Sequence, residues 1–321
     1  MNPPKKFEPI NNKGLKTYSI SDRISKVSSE DICKPWKKGE SFSAFLDTLP
    51  RILAGNQIRE IITTISEAYK TGKTVIVGMG AHVIKVGLSP VIIDLMRRGV
   101  ITAVALNGAG IIHDFELAMA GCTSEDVAAS LGTGQFGMAG ETGEFLSGAI
   151  RKASDDATGM GRAVGRMIIE NEFNFADKSI LAAGYELNIP VTVHVAFGTD
   201  IIHLHPAFDA AKAGETTHRD FRILSSVIST LEDGVYLNIG SAVIMPEIFL
   251  KALTLVRNLG HHVQKFTTVN MDFITHYRPM ANVVHRPTAG GGKGFNLVGH
   301  HELMLPLIAA GVIESIDDKN N

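Results

Sequence analysis

The chain has 321 residues, with 31 lysines and arginines against 33 aspartates and glutamates, a formal net charge of −2. Hydrophobic residues make up 45% and charged residues 20%. That is enough for a large core, and it argues against nucleic acid or an anionic membrane as a partner, since both need a basic footprint. Two cysteines, Cys33 and Cys122, argue against a disulfide framework or a thiolate zinc site. No stretch reaches about 18 uninterrupted apolar residues and the polar N-terminus lacks a signal-type apolar region, so a cytoplasmic protein is expected. Glycine stands out at 32 residues, against roughly 7% of an average chain.

Residues 1–40 are rich in Lys, Asn, Ser and Pro without a sustained period and read as a partly ordered arm, followed by a single α/β domain over 41–321. Ile58, Ile61, Ile62, Ile65 and Tyr69 recur at helical spacing up to Gly72. Thr74–Val77 is a short apolar strand ending at Gly78. Ser89-Pro90 opens a helix that carries Arg97 and Arg98 in its last turn and stops at Gly99. Val100–Leu106 is the next strand, followed by Asn107-Gly108-Ala109-Gly110 and a helix that ends at Gly121. Cys122–Gly161 is Gly/Ala/Thr-rich and reads as a mobile or substrate-shaped insertion. A helix over 178–187, a strand over 190–195, a helix over 218–231, a strand over 235–239, a helix over 246–259 and a strand over 263–269 complete the series. Apolar strands alternating with helices predict a doubly wound, mostly parallel sheet with helices on both faces, a Rossmann-like α/β fold.

Gly78, Gly80, Gly108, Gly110, Gly198 and Gly240 all fall at strand ends. In open parallel sheets ligands bind beyond the carboxyl ends of the strands, where glycine lets backbone approach a phosphate. The dinucleotide fingerprint GxGxxG is not met, because Val83 stands where its third glycine belongs. Polar residues gather at the same edge: His82 and Lys85 after the first strand, Asn107, His113, Asp114 and Glu116 after the second, Thr199, Asp200, His203 and His205 after the third, Ser241 and Glu247 after the fourth. His203 and His205 alternate, so an extended segment would turn both rings to one face, but no third ligand at a suitable spacing supports a metal. Asp114 and Glu116 either carry function at the sheet edge or charge the first turn of their helix. Gly290–Gly294 encloses Lys293, which is either a solvated loop lysine or an amine placed for imine chemistry; Gly294 departs from the P-loop pattern.

These pieces together resemble deoxyhypusine synthase across roughly residues 70–310. IVGMGAHVIKVGL, Ile76 to Leu88, is similar to that family's first strand and loop, and LNGAGIIHDFE, Leu106 to Glu116, to its TTAGGxEED turn. SILAAGYELNIPVTVHVAFGTD, Ser179 to Asp200, resembles the helix, strand and Thr-Asp that open its TDGSLGD loop, while LNIGSAVIMPE resembles the strand before GGGVVKHH. Gly292-Lys293 resembles the GK of its WGK motif.

The resemblance implies NAD in the sheet crevice, a homotetramer with active sites at a subunit interface, and an amine substrate of polyamine type that is oxidised and transferred through a lysine imine. By position it implies cofactor contacts from Ala81, His82, Gly108, Ala109, Gly110, Asp114, Asp200 and Gly240; Gly78, Thr199 and Ser241 join them as neighbours at the strand ends. Lys293 would be the imine lysine, with His203, His205 or Glu247 as proton acceptor. The sequence departs from the family where the substrate would sit. His205 replaces the second aspartate of TDGSLGD, Met245-Pro246-Glu247 falls at the KHH pair, and HRPTAGGGKG lacks the tryptophan and glutamate of EAVSWGK. An altered substrate pocket is therefore expected. Oxidation of an amine or alcohol without group transfer, and NAD binding without catalysis, stand as alternatives.

Overall fold

The computed structural model describes residues 5–316, so the ends of the arm and domain expected over 1–40 and 41–321 lie outside the described residues. Residues 5–40 hold one 3-10 turn, Ile20–Asp22, and are exposed apart from half-buried Asp31. Helices α1 (Phe42–Thr48) and α2 (Leu53–Lys70) lead into strand β1 (Val75–Met79). There follow α3 (His82–Lys85), α4 (Ser89–Arg97), β2 (Ala103–Asn107), α5 (Gly108–Ala120), α6 (Val127–Leu131), α7 (Gly140–Asp155), α8 (Met160–Glu170), α9 (Ile180–Glu186) and β3 (Val191–His194). The second half runs through α10 (Ala210–Ile228), β4 (Val235–Ile239), α11 (Ile244–Asn258), β5 (Thr267–Asp272), a short α12 (Tyr277–Pro279) continuing into a π-helical stretch Met280–His285, β6 (Lys293–Val298) and α13 (His301–Ser315).

The six strands form one sheet in the order β3-β2-β1-β4-β5-β6, every neighbouring pair parallel. This is the expected doubly wound fold, and its order reverses between β1 and β4. Side chains alternate between the faces. Val75, Val77, Met79, Val104 and Leu237 join the larger core with α2, α5 and α13. Ile76, Ala103, Ala105 and Tyr236 join the smaller one with Phe249 of α11 and Leu224 of α10.

Three expectations change. The Cys122–Gly161 segment is not one loose insertion: it holds the short α6 between two loop stretches, then α7 and the start of α8. Some of its glycines serve close packing: a Cβ on Gly161 would lie 1.8 Å from the Val191 carbonyl of edge strand β3, and one on Gly159 would lie 1.9 Å from the Asp220 carboxylate. The Gly290–Gly294 stretch is not wholly a loop, because Lys293 is the first residue of β6, paired with Thr267. Helix α10 begins at Ala210, eight residues before the expected start, with the Asp209 side chain accepting from Lys212 N at 3.0 Å.

Candidate functional site

Beyond the carboxyl ends of β1, β2 and β3 lies a cavity of about 310 Å³. Helix α5 builds its floor. The Asn107 side chain caps that helix by accepting from Gly110 N at 2.9 Å, and Ala109, Ile112, His113 and Glu116 then follow at a spacing that puts all four on one face. Lys85 enters from the segment after β1, and His194, Thr199 and Asp200 from the end of β3 and its loop. The 122–139 segment closes the far side with Ser124, Glu125 and Phe136.

The chemistry centres on a three-residue chain. The Thr123 hydroxyl donates to Glu116 Oε2 at 2.5 Å and lies 2.6 Å from His113 Nδ1. A hydroxyl has one proton, so with that proton given to Glu116 the oxygen accepts from His113, whose Nδ1 therefore carries the hydrogen. Nε2 is left with the lone pair. Thr142, from α7, holds the other Glu116 oxygen at 3.1 Å. Burial lowers the His113 pKa below 6.5, against the pull of Glu116, so at neutral pH the ring is an uncharged base in a fixed tautomer. His194 is buried, with Nε2 3.0 Å from Thr192 Oγ1, and desolvation drives its pKa down to about 3. Asp200 takes Ala196 N at 2.8 Å and presses on the first residue of α5, where a Cβ on Gly108 would meet its carboxylate at 1.9 Å. Burial raises the Asp200 pKa, opposed by that N–H and by His203.

Of the residues expected to hold cofactor, the cavity brings together Gly108, Ala109, Thr199 and Asp200. His82 and Gly240 lie next to it, in the gap between β1 and β4 where the strand order reverses. There Gly240, at φ +62°, sits over the buried His301 ring, and a Cβ on Gly80 would stand 2.3 Å from the Gly240 carbonyl. His301 donates from Nε2 to the Met271 carbonyl at 3.1 Å, and its buried Nδ1 has no partner among the described residues. His82 packs edge-on to it with ring centres 5.7 Å apart. Burial first, then His301 and Lys85, lower the His82 pKa.

The other expected residues are used by the fold. Asp114 is fully buried, accepting from Ser179 Oγ, Ile180 N and Leu181 N, so it anchors the start of α9 instead of facing a ligand. Burial raises its pKa to about 6. Gly78 leaves room for the Tyr236 hydroxyl, 2.3 Å from where its Cβ would be. Gly110 packs on Leu106, Ala81 is buried at the N-cap of α3, and Ser241 Oγ accepts from Met245 N at 3.1 Å to start α11.

The catalytic expectations move furthest. Lys293 opens β6 at the amino edge of the sheet, opposite the crevice, and its Nζ pairs with Glu60 Oε1 at 2.5 Å, which raises its pKa. His203 and His205 do not share a face, because Ile201–Leu204 is a 3-10 turn and not an extended segment. His203 stacks on Phe197 with ring centres 4.9 Å apart, while His205 fills the space over Gly143 of α7. Glu247 is paired with Lys251, Arg278 and Asn282; the Lys251 bond contributes most to lowering its pKa, which makes it a poor proton acceptor. Lys85, Asn107, His113 and Glu116 lie at the expected edge and line the cavity. Thr123, Thr142 and His194 carry no sequence signal, since their function depends on contacts across 7 to 26 residues or on burial. Among the described residues no three His, Cys, Asp or Glu side chains are grouped to hold a metal ion, and no helix is long and apolar enough to cross a membrane.

No protein-family model matches the sequence, and no curated protein does. Solved structures do share the fold. A "putative deoxyhypusine synthase" from Entamoeba histolytica is 13% identical with a TM-score of 0.52, over 88% of this chain and 96% of that one. AgrE, solved in a ternary complex with ornithine and NAD+, is 14% identical with a TM-score of 0.51, over 81% of this chain and 33% of its own. ArgZ, an arginine dihydrolase from the ornithine-ammonia cycle in Cyanobacteria, is 17% identical with a TM-score of 0.49 over 82% of this chain. The chain spans about a third of the length of AgrE and of ArgZ. The likeness to deoxyhypusine synthase noted in the sequence is thus found in the fold.

Proposed function

We propose that this chain is an NAD-dependent enzyme that oxidises an amine-bearing small molecule in the cavity beyond β1, β2 and β3. The observation that carries the reading is the Glu116–Thr123–His113 chain, a neutral imidazole of fixed tautomer set in a cavity whose wall also bears Glu125 and Asp200. Carboxylates suit a cationic amine, and Ile112, Phe136, Ile201 and Ile244 suit an aliphatic stem. The cofactor of AgrE is NAD+, and the neighbouring β1–β4 gap fits such a group. Gly80 and Gly240 let backbone approach closely, and the orphaned His301 Nδ1 is an acceptor awaiting a hydroxyl.

Bound NAD supplies a hydride acceptor. The chain's own part is to hold the amine-bearing carbon, exclude water and take the proton. As the C–H bond breaks, the amine nitrogen loses its proton to His113 Nε2 and a C=N bond forms on the substrate. The imidazolium that results is stabilised through Thr123 by the Glu116 charge, the role an acid plays behind a catalytic histidine. Transfer through an imine on Lys293 draws no support from its place at the far edge of the sheet, so oxidation without group transfer is the reading we adopt.

We also propose a homotetramer in the cytoplasm. Phe197, Val243, Phe273 and Ile274 on loops, Leu204 in the 3-10 turn and Leu303 in the first turn of α13 are exposed at the carboxyl side of the sheet, an apolar rim of the kind that subunits cover. The test is NADH formation with a panel of primary amines, together with calorimetric titration of NAD. The expected result is saturable NAD binding and turnover that His113→Asn lowers by about a hundredfold or more. Absence of NAD binding overturns the reading at its base.

A further inference from the structure

Resting on that reading of the cavity, we infer that the substrate carries a carboxylate as well as an amine, held by Lys85, so that an amino acid and not a polyamine is the class of ligand this site takes. Lys85 is the one lysine or arginine among the residues lining the cavity. Most other lysines and arginines of the folded body have carboxylate or carbonyl partners, as Lys73 has Asp233 and Lys293 has Glu60. Lys85 makes no ion pair or hydrogen bond among the described residues. It lines the cavity with His113 and follows His82 by three residues in α3, and its charge lowers the pKa of both histidines. Lys85 is exposed at the rim of the cavity, where an unpaired ammonium is free to meet an anionic group of a ligand.

The same cavity presents Glu125 and Asp200, and Glu116 behind its two threonines. Both signs of charge within about 310 Å³ match a zwitterion, with the ammonium toward the carboxylates and the carboxylate toward Lys85. A polyamine has no group to offer Lys85, and its second ammonium would lie against a like charge. The apolar side of Ile112 and Phe136 is left for the aliphatic side chain. Lys85 binds and orients in this account. It forms no covalent bond, and the balance of the oxidation is unchanged.

The experiment compares matched pairs that differ only in the carboxylate: lysine against cadaverine, ornithine against putrescine. Each is titrated calorimetrically into the full chain with and without saturating NAD. A charge-assisted contact predicts that the carboxylate-bearing member of each pair binds about tenfold tighter or better. Lys85→Met removes that preference, Lys85→Arg retains much of it, and NAD affinity stays within about twofold in both variants. Diamines binding the wild-type chain as tightly as their amino acids overturn the inference. So does a Lys85→Met variant that loses NAD affinity but keeps the carboxylate preference, since Lys85 would then serve a cofactor phosphate. Failure of NAD to bind defeats the proposed oxidation alone, whereas NAD binding without a carboxylate preference defeats only the assignment of Lys85.

Discussion

The His194→Gln substitution tests how deeply the cavity wall is buried. In the folded chain desolvation holds the His194 pKa at about 3, against 6.5 for an ordinary histidine. The folded value is below the unfolded one, so the unfolded chain binds more protons between the two. The stability this residue contributes is complete above pH 6.5 and is lost as pH falls through the window toward 3. At about pH 5 the loss amounts to about 2 kcal/mol, from roughly 1.4 kcal/mol per pKa unit. Glutamine keeps a partner for the Thr192 hydroxyl but does not titrate. Urea denaturation of both proteins at neutral pH and near pH 5 reads the difference directly. Lowered values at His82, His113 and His203 act in the same direction, and raised ones at Asp114 and Asp220 act oppositely. All of them remain in the variant and cancel in the comparison. Wild type is expected to lose about 2 kcal/mol more than His194→Gln over that interval. Equal losses would refute the claim that His194 is held neutral by burial.

Thr123→Val cuts the link between Glu116 and His113 and leaves the imidazole without its partner; turnover should fall by about tenfold to a hundredfold with the fold intact by circular dichroism. Gly108→Ala drives a Cβ into the Asp200 carboxylate, so ligand affinity in the cavity should drop while a control, Gly148→Ala, which meets nothing within 4 Å, leaves affinity as it is. Lys293→Ala should leave NAD binding and turnover within about twofold of wild type, because its partner is Glu60 at the opposite edge of the sheet. Light scattering on a size-exclusion column should report a tetramer, and a monomer would contradict the covering of the Phe197–Leu303 rim.

The doubly wound sheet was legible because each buried parallel strand is a short apolar run closed by glycine, as Val235–Ile239 before Gly240 shows without any shift of boundary. Strand β6 was hidden since Lys293, Gly294 and Asn296 break the apolar run, and its partner is a strand some 26 residues earlier, paired over six positions and joined also by the Asn270–Asn296 side-chain bond at 2.7 Å, which no local pattern reveals. The crevice edge was legible for the same reason as the strands. The residues within it were not, because glycine at a strand end serves two ends alike: Gly108 opens the cavity while Gly78 only makes room for Tyr236. Asp114 and Glu116 sit two residues apart on one helix, so they point to different faces; only folding tells which of them meets the cavity and which anchors α9. His203 and His205 would share a face only on an extended backbone, and the 3-10 turn Ile201–Leu204 separates them.

The most direct measurement is a calorimetric titration of the full chain with NAD, followed by an absorbance assay for NADH on adding amine. The account predicts a single saturable site and NADH formation that disappears in His113→Asn while NAD still binds. NAD that fails to bind, or turnover that survives the loss of His113, would contradict it.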